Sequence, residues 1–363
     1  MMELNVSEDF DFQSEEYSDL YTQSDCTAFQ HPVWQTAMQQ HVRKQIGLRN
    51  KTLQFRCKKS GQLVGILPLV ARKKMGTNIL EFANLGLVDY ALPTLHTNFW
   101  QWVPNPSTLS VELDRVLGRY DMLRIKHMPS NDPNFLRLLP NACMERAKFS
   151  AHVAELGSDY DSWRTDVISK AERKSRDKKR RAMMRNGDWQ MNRLTDPADI
   201  TEAFNHLKLY HKERFADRPG KDMLQDGSSF RFYVDLACHS AESGFSRTYS
   251  FTYDGDIVAV QFGLHDGDRY LYLIMGVDYE RMGKYSPGLL MTEDIIRDCI
   301  KDGIKTFDLT VGDEPYKAKF GTKPVAIYTL WHASSMLGTM GRTVADLMHK
   351  QKVGNNLLRW MSN

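Results

Sequence analysis

The sequence predicts an α/β protein of two domains, each a mixed, mostly antiparallel sheet flanked by helices. Residues 247–253, 257–265 and 269–275 are strand-like segments separated by Asp254-Gly255 and Asp266-Gly267. Asp-Gly supplies the positive φ that tight hairpin turns need, so these segments predict an antiparallel meander. Both halves of the chain also show the same order of helix, three strands, helix and strand. This repeated order favours two related domains.

Charge is unevenly distributed along the 363 residues. Residues 1–42 hold eight acids and no Lys or Arg, so the rest of the chain has 48 basic against 37 acidic residues. That excess favours an anionic ligand, substrate or surface. The five cysteines are widely spaced and suggest neither a disulfide framework nor a metal site. With no signal-peptide pattern and no apolar run of ~20 residues, we expect a cytoplasmic protein without a transmembrane segment.

The composition predicts four segments along the chain. They are a flexible acidic tail (1–27), an N-terminal domain (28–155), a C-terminal domain (156–334) and a helical extension (335–363). In the N-terminal domain a helix opens at Pro32. The further elements expected there are strands at 52–57, 63–70, 78–83 and 122–125, a helix at 107–117 and a weakly regular connection at 131–150.

The C-terminal domain is predicted to place helices around the meander. The expected helices are 161–185, 197–215, 230–243 and 287–302, and the expected further strands are 306–309 and 326–333.

One helix opens directly after a turn that contains glycine. Pro287-Gly288 follows the basic turn 281–286, and a helix start presents unpaired N–H groups and a positive dipole end. These features suit a phosphate, although an ordinary capped helix gives the same pattern. The candidate cofactor contacts are Gly283, Lys284, Tyr285, Ser286 and Gly288.

A strand and a polar loop follow this helix. Alternation along 306–309 separates Asp308 from Phe307 and Leu309, and a cleft is the cheaper environment for an isolated carboxylate. Asp308 could act as a base or orient an amine, with Asp313 and Glu314 as alternatives, or it could simply cap a turn. Titratable groups beside a phosphate-binding turn are compatible with acyl transfer.

The motif Asp-Leu-Thr-Val-Gly-Asp-Glu-Pro-Tyr-Lys-Ala-Lys-Phe-Gly at 308–321, preceded by Tyr-Ser-Pro-Gly at 285–288, resembles a known family. It is similar to the paired GNAT acyltransferases of the CelD/BcsL type, associated with cellulose and polysaccharide synthesis, and more distantly to the FemABX peptidyltransferases. The usual GNAT pyrophosphate loop, Arg/Gln-x-x-Gly-x-Gly/Ala, is not matched at 281–288. The resemblance implies acetyl-CoA as the donor, whereas FemABX enzymes use aminoacyl-tRNA.

The resemblance also suggests roles for individual residues. Tyr316 becomes the candidate general acid for the leaving thiolate, although it could equally pack as an ordinary aromatic. Lys317 and Lys319, on one side of a strand-like segment, are candidates for catalysis and for substrate binding, although surface lysines are more often solvated. Gln261 could face the cleft and orient the acyl group, or face solvent. In the N-terminal half, Asp89-Tyr90 matches the family and is a candidate substrate contact.

A basic segment precedes the C-terminal domain's first recognisable helix. Residues 170–185 contain nine basic residues against Glu172 and Asp177. Such density indicates either anion binding or a solvated face. No aromatic residue lies between Trp163 and Trp189 to stack on bases, so we expect no DNA partner. The eleven histidines show no metal-binding spacing, so we expect no catalytic metal.

The sequence therefore predicts an acetyl-CoA-dependent acyltransferase. The resemblance implies an amine or hydroxyl acceptor on a sugar or sugar nucleotide. Two alternatives stay open: a FemABX-like aminoacyl or peptidyl transferase that uses charged tRNA, and a non-catalytic GNAT pair that acts as a binding module in polysaccharide assembly.

Overall fold

A computed structural model describes residues 2–74, 76–215 and 222–342. The chain divides into two compact units. The first comprises residues up to Ala147 together with the described residues from Ile327, and the second is Lys148–Ala326. The divisions fall after residues 147 and 326, each eight residues before the predicted domain boundary.

The first unit is a mixed sheet with helices. Its strands run in the order β1-β2-β3-β4-β6-β13, and all neighbours are antiparallel except β4 and β6. Its elements are β1 (Met2–Ser7), α1 (Glu15–Thr22), α2 (Pro32–Arg43), β2 (Leu48–Cys57), β3 (Leu63–Lys74), β4 (Thr77–Phe82), β5 (Thr94–Leu95), α3 (Phe99–Trp102), α4 (Ser110–Leu117), β6 (Met122–Met128), α5 (Pro133–Leu138) and the end of β13 (Lys323–Ala333).

The expectation of a flexible acidic tail at 1–27 is wrong. Strand β1 pairs with β2 over its whole length, and Phe10, Phe12 and Tyr17 pack in an apolar cluster. The Tyr17 hydroxyl donates to the Gln30 carbonyl at 2.6 Å. Acidic side chains lie outward while the few aromatic residues are buried, so composition alone hid the structure of this segment.

The interior of the first unit is apolar and nearly filled. An internal void of about 20 Å³ is lined only by apolar side chains, among them Leu123 of β6 and Leu113 of α4. That volume is about one water molecule, so this void has no room for a larger ligand.

The second unit contains the predicted meander. Its strands run in the order β7-β12-β11-β10-β9-β8, antiparallel except for the pair β11 and β12. Its elements are β7 (Cys143–Glu155, which begins in the first unit), α6 (Tyr160–Val167), α7 (Lys170–Asn186), β8 (Trp189–Leu194), α8 (Pro197–Phe215), α9 (Gly227–Ser240), β9 (Ser246–Tyr253), β10 (Asp256–Asp266), β11 (Arg269–Val277), α10 (Tyr279–Met282), α11 (Pro287–Lys301) and β12 (Thr306–Val311).

The predicted fold class is confirmed: both units are mixed, mostly antiparallel sheets with helices. Several elements were missed: β1 and α1 in the acidic segment, the short β5, α3 and α10, and the elements α5, β7 and β8. The region expected to be a weakly regular connection contains α5 and the 13-residue strand β7, and β8 was not predicted. Both strands are rich in polar residues, and β7 is held by pairing with β12. No helix in the described ranges is long and apolar enough to cross a bilayer. The helical extension predicted at 335–363 lies outside the described residues beyond position 342.

Candidate active site

The pairing between β11 and β12 locates the candidate site. The two strands pair in parallel over three residues, Arg269–Leu271 with Thr306–Asp308. Beyond that point β11 continues along β10 as far as Val277. Met275, on this continuing part of β11, lines a cavity of about 260 Å³.

The cavity brings together four of the predicted site residues. Gly283, Ser286, Gly288 and Tyr316 all contribute to its wall. The other lining residues are Met275, Tyr279 and Leu289, which the sequence reasoning did not identify. The turn before α11 and the loop after β12 therefore face one space, as the sequence predicted.

The N-terminus of α11 has the features of an anion site. Ser286 adopts a left-handed conformation (φ 54°, ψ 55°), and no side chain caps the helix. Pro287 is compatible with the first turn because an N–H at that position has no intrahelical partner. Lys179 of α7 donates from Nζ to Ser286 Oγ at 2.6 Å, which places a cation beside the helix start. Lys179 is a site residue that sequence reasoning missed among its basic neighbours.

Gly288 keeps the cavity open. A Cβ at this position would lie 3.3 Å from Met275 Cε and 3.7 Å from Tyr279 Oη, both cavity residues. At Gly283, by contrast, an added Cβ meets nothing within 4 Å. A side chain at Gly288 would therefore crowd the cavity wall, whereas one at Gly283 would not.

The two remaining predicted turn residues do not line the cavity. Tyr285 is buried, and its hydroxyl accepts a hydrogen bond from Asn186 of α7 at 3.2 Å. Lys284 is exposed, and its Nζ lies 4.9 Å from the centre of the Tyr285 ring. Tyr285 thus anchors the turn, and Lys284 stands on its outer side.

Buried contacts hold the loop that carries Tyr316. Lys317 is almost completely buried, and its Nζ donates to the carbonyls of Thr310 (3.2 Å) and Val311 (2.9 Å). The same ammonium lies 3.1 Å from Glu314 Oε2. The structure therefore gives Lys317 a structural role and does not place it in the cavity.

The expectation of strand-like alternation at the two lysines is wrong, because Lys317–Phe320 is a 3-10 turn. Lys319 is exposed and pairs with Glu172 of α7 at 3.2 Å. Phe320 is buried beneath the guanidinium of Arg176, which lies 4.8 Å from its ring centre. These contacts attach the loop to α7.

A histidine on β7 holds the other end of the loop. Asp313 Oδ1 accepts from the Ser150 N–H (3.1 Å) and lies 3.0 Å from His152 Nε2. The hydrogen bond with His152 holds the pKa of Asp313 below its ordinary value. His152 Nδ1 lies 3.4 Å from Thr322 Oγ1, which donates to the Lys317 carbonyl. His152 was missed because β7 was not predicted.

Asp308 and Gln261 lie in the interior, so the expectation that they face a cleft is wrong. Asp308 is fully buried; its Oδ1 accepts from the Thr310 N–H at 2.8 Å, and Arg269 Nη1 lies 3.7 Å from Oδ2. Gln261 is also fully buried, with its Oε1 accepting from the Tyr270 hydroxyl at 2.6 Å. Both side chains thus form hydrogen bonds inside the fold.

The N-terminal candidates belong to the first unit. Tyr90 is buried, with its ring edge-on to Phe29 at 6.0 Å between centres. Its carbonyl accepts from Gln30 Nε2 at 3.0 Å. Asp89 is half-buried. The role of these two residues in substrate binding stays a prediction.

The basic helix α7 is neither a purely solvated arm nor a purely ligand-facing one. Arg176 is 2% exposed and reaches Glu293 Oε2 on α11 at 3.2 Å. Arg180 pairs with Asp294 at 2.8 Å. Burial opposes ionisation of Glu293, but hydrogen bonds from Tyr160 (2.7 Å) and Arg164 outweigh it and hold the pKa of that carboxyl below its usual range. Part of the basic segment thus fixes α7 to the helix that opens at the cavity.

No group of three or more His, Cys, Asp or Glu side chains suitable for a metal occurs within the described ranges. The polar side chains that line the cavity are the hydroxyls of Tyr279, Ser286 and Tyr316, and the Lys179 ammonium lies beside Ser286.

Comparisons with known proteins bear on the family and the fold of this chain. The family model described as acetyltransferase (GNAT) domain matches residues 169–318. No curated protein matches the sequence. Among solved structures, FemX is similar with a TM-score of 0.61 at 9% identity, covering 87% of this chain and 95% of FemX.

Two further structures show the same fold at low identity. A conserved protein of unknown function from Bacteroides thetaiotaomicron gives a TM-score of 0.58 at 11% identity, covering 92% of this chain and 100% of that protein. L-PGS from Bacillus licheniformis gives 0.55 at 10% identity, covering 94% and 98%. Residues 169–318 thus match the model of a GNAT acetyltransferase domain, and the chain shares its fold with these solved structures.

Proposed function

We propose that this protein transfers an acetyl group from acetyl-CoA to an amine or hydroxyl acceptor, directly and within a ternary complex. The observation that carries the proposal is the position of Tyr316 on the same cavity wall as Gly283, Ser286 and Gly288. At about 260 Å³ the cavity is close to the lower end of small-ligand pockets, enough for the thioester end of the donor.

The start of α11 would hold the pyrophosphate. The Gly288 N–H at the uncapped helix start, together with the helix dipole, favours an anion, and Lys179 adds a full positive charge next to Ser286. This arrangement replaces the glycine spacing that the loop lacks. The exposed Lys284 on the same turn could contact a phosphate further from the cavity.

Tyr316 would act as the general acid. The acceptor nitrogen or oxygen attacks the thioester carbon, the C–S bond breaks, and the Tyr316 hydroxyl protonates the leaving thiolate. The proton lost by the acceptor restores the phenol. The contacts of Lys317 and Phe320 hold the loop in place, which lowers the entropic cost of this alignment.

The finer assignments rest on the sequence resemblance. A CelD/BcsL-type role, with a sugar or sugar nucleotide as acceptor in polysaccharide synthesis, has that support alone. A second candidate is aminoacyl transfer of the FemABX type, favoured by the likeness in fold to FemX and L-PGS. The two candidates differ in the donor, a thioester of coenzyme A or a charged tRNA.

Isothermal titration with acetyl-CoA, longer acyl-CoA thioesters and charged tRNA separates these candidates. We expect heat of binding with acetyl-CoA and a much weaker response after Lys179→Ala, because the cation beside Ser286 is lost. Matched replacement of the exposed Lys301, at the far end of α11, should leave the binding unchanged. Binding of charged tRNA without any response to acyl-CoA would exclude the leading proposal.

A further inference from the structure

The outward face of α7 carries a straight stripe of positive charge. Lys170, Lys174, Lys178, Arg181 and Arg185 are all exposed. At 3.6 residues per turn these positions fall within an arc of about 80°, and they extend over about 22 Å along the helix. We call this set the basic stripe.

The basic stripe is not neutralised by the protein itself. The two acidic residues of α7 are used elsewhere, since Glu172 pairs with Arg176 and Lys319, and Asp177 pairs with Arg164. Across the ranges that the structure describes, no carboxylate lies within 4.0 Å of any stripe residue. Five cations therefore share one face without counter-charges.

The opposite face of α7 makes the stripe rigid. Met183 is fully buried, Arg176 bonds to Glu293, and Arg180 pairs with Asp294. Ser169 caps the start of the helix by accepting from the Glu172 N–H. A fixed helix presents its charges along one line, whereas a mobile basic arm would lose entropy on binding.

The shape of this surface favours a flat partner over a nucleic acid groove. The rear face of α7 is packed, so the helix presents to a partner only the ridge of exposed side chains that forms the basic stripe. The major groove of B-DNA accepts a helix only when that helix projects, and the major groove of duplex RNA is too deep and narrow. A planar anionic surface, by contrast, can contact the ridge along its whole length.

An exposed methionine lies at the edge of the stripe. Met184 is 56% exposed, one turn after Arg181. An apolar side chain beside a basic ridge can enter the boundary between lipid headgroups and acyl chains while the cations remain at the phosphates.

We propose that the basic stripe docks the protein on an anionic lipid bilayer. The end of α7 contacts the turn that borders the cavity, through Asn186 to the Tyr285 hydroxyl and Lys179 to Ser286. Asn186 and Lys179 lie on the side of α7 away from the stripe, so docking holds the turn about one helix diameter, ~10 Å, from the headgroups. Given the proposed acyltransferase activity, on which this consequence rests, the acceptor is an amine or hydroxyl carried by a membrane component.

Vesicle co-sedimentation of the full chain tests the proposal. Vesicles of phosphatidylcholine mixed with phosphatidylglycerol should bind the protein, and vesicles of phosphatidylcholine alone should not. Binding should weaken as salt is raised, because screening acts on exposed charges. Each basic residue near such a surface is worth about 5-fold in partitioning, so K174Q/K178Q/R181Q should lose about 100-fold.

The control variant removes the same charge from the first unit. Lys58, Lys59 and Lys73 are also exposed, and K58Q/K59Q/K73Q should bind vesicles like the unaltered protein. The conservative variant K174R/K178R should keep full binding. Acetyl-CoA binding should be unchanged in all three variants, so failure of docking is distinguishable from failure of the proposed activity.

Several outcomes would overturn the proposal. They are equal sedimentation of the stripe variant and the unaltered protein, equal binding to neutral and anionic vesicles, or stripe-dependent binding of duplex RNA without vesicle binding. If the triple variant loses its circular dichroism signal, single Lys→Gln variants at 174 and 178 replace it, each with an expected loss of about 5-fold.

Discussion

The two units share a sheet plan but differ in what surrounds their parallel strands. In each, parallel pairing lasts three residues, Ile79–Glu81 with Met122–Arg124 in the first and Arg269–Leu271 with Thr306–Asp308 in the second. The second unit has a cavity of about 260 Å³ beside its parallel pair. The first unit has an apolar interior with a void of about 20 Å³.

The difference lies in the segments that connect the parallel strands. In the second unit a turn with Gly283 and Gly288 leads into α11 and leaves space. In the first, Phe99, Trp100 and Leu113 between β4 and β6 turn inward and fill it. One fold thus contains an open cavity or a nearly filled core, depending on whether glycines or large apolar residues occupy the connection.

The largest expected effect is on turnover. Tyr316→Phe removes the proposed proton donor but keeps the ring, so kcat should fall by about 10²–10⁴-fold with little change in acyl-CoA affinity. The measurement is thioester turnover at saturating donor. Tyr279→Phe, which changes another cavity tyrosine, is the matched control and should cost only a few-fold. Unimpaired turnover in the Tyr316 variant would remove this residue from the chemistry.

The second largest expected effect is a loss of stability when a buried charge between the helices of the second unit is removed. Glu293 is 1% exposed and contacts Arg164, Arg176 and Tyr160. Glu293→Ala leaves buried cations without a carboxylate and should lower the free energy of unfolding by about 3–5 kcal/mol. Urea titration measures this, with the exposed Glu280→Ala as a control expected within about 0.5 kcal/mol of the unaltered protein.

We also expect the stabilisation by the Glu293 carboxylate to depend on pH. The pKa of Glu293 is lowered in the folded state, so its contribution is present above its unfolded pKa of about 4.3 and is lost as pH falls through the lower folded value. The stability difference between the unaltered protein and Glu293→Gln should therefore shrink below about pH 4.3. A difference that stays constant on acidification would contradict this assignment.

Substitutions in the core of the first unit should change the stability of the protein and leave its activity unchanged. Leu123 is buried and lines the small void, so Leu123→Ala should cost about 2–5 kcal/mol because the interior cannot fully collapse. Acetyl-CoA affinity and kcat of the folded fraction should stay unchanged. Chemical denaturation and titration calorimetry on the same sample test this pair of results, and Val111→Ala, at an exposed position, is the control.

The sequence predicted the features that depend on local chemistry. Asp254-Gly255 and Asp266-Gly267 predicted the meander, and Pro287 predicted the start of a helix. The turn before that helix and Tyr316 do line one cavity. The direction in which each side chain points was harder to predict from the sequence. Asp308 and Lys317 are typical catalytic residue types, yet both are buried with partners inside the fold.

Elements held by long-range pairing were missed. Strand β7 pairs with β12 and alternates polar and apolar residues over 146–153, but two of its four apolar positions are the small Ala147 and Ala151, and its absence from the prediction hid His152. The prediction of a flexible acidic N-terminus was wrong for a related reason, since a few buried aromatic residues such as Tyr17 suffice to anchor this segment in an apolar cluster. Tertiary pairing leaves little trace in local composition.

The smallest effect distinguishes two glycines of the same cavity. Gly288→Ala would place a methyl group 3.3 Å from Met275 Cε and 3.7 Å from Tyr279 Oη, so acetyl-CoA affinity should fall by about 10-fold. Alanine is also the better helix former, by about 1 kcal/mol, so unfolding should become slightly harder while binding weakens. Gly283→Ala meets no atom within 4 Å and should leave affinity unchanged. Equal loss of binding in both variants would mean that the backbone turn, and not the space at Gly288, decides what the second unit accepts.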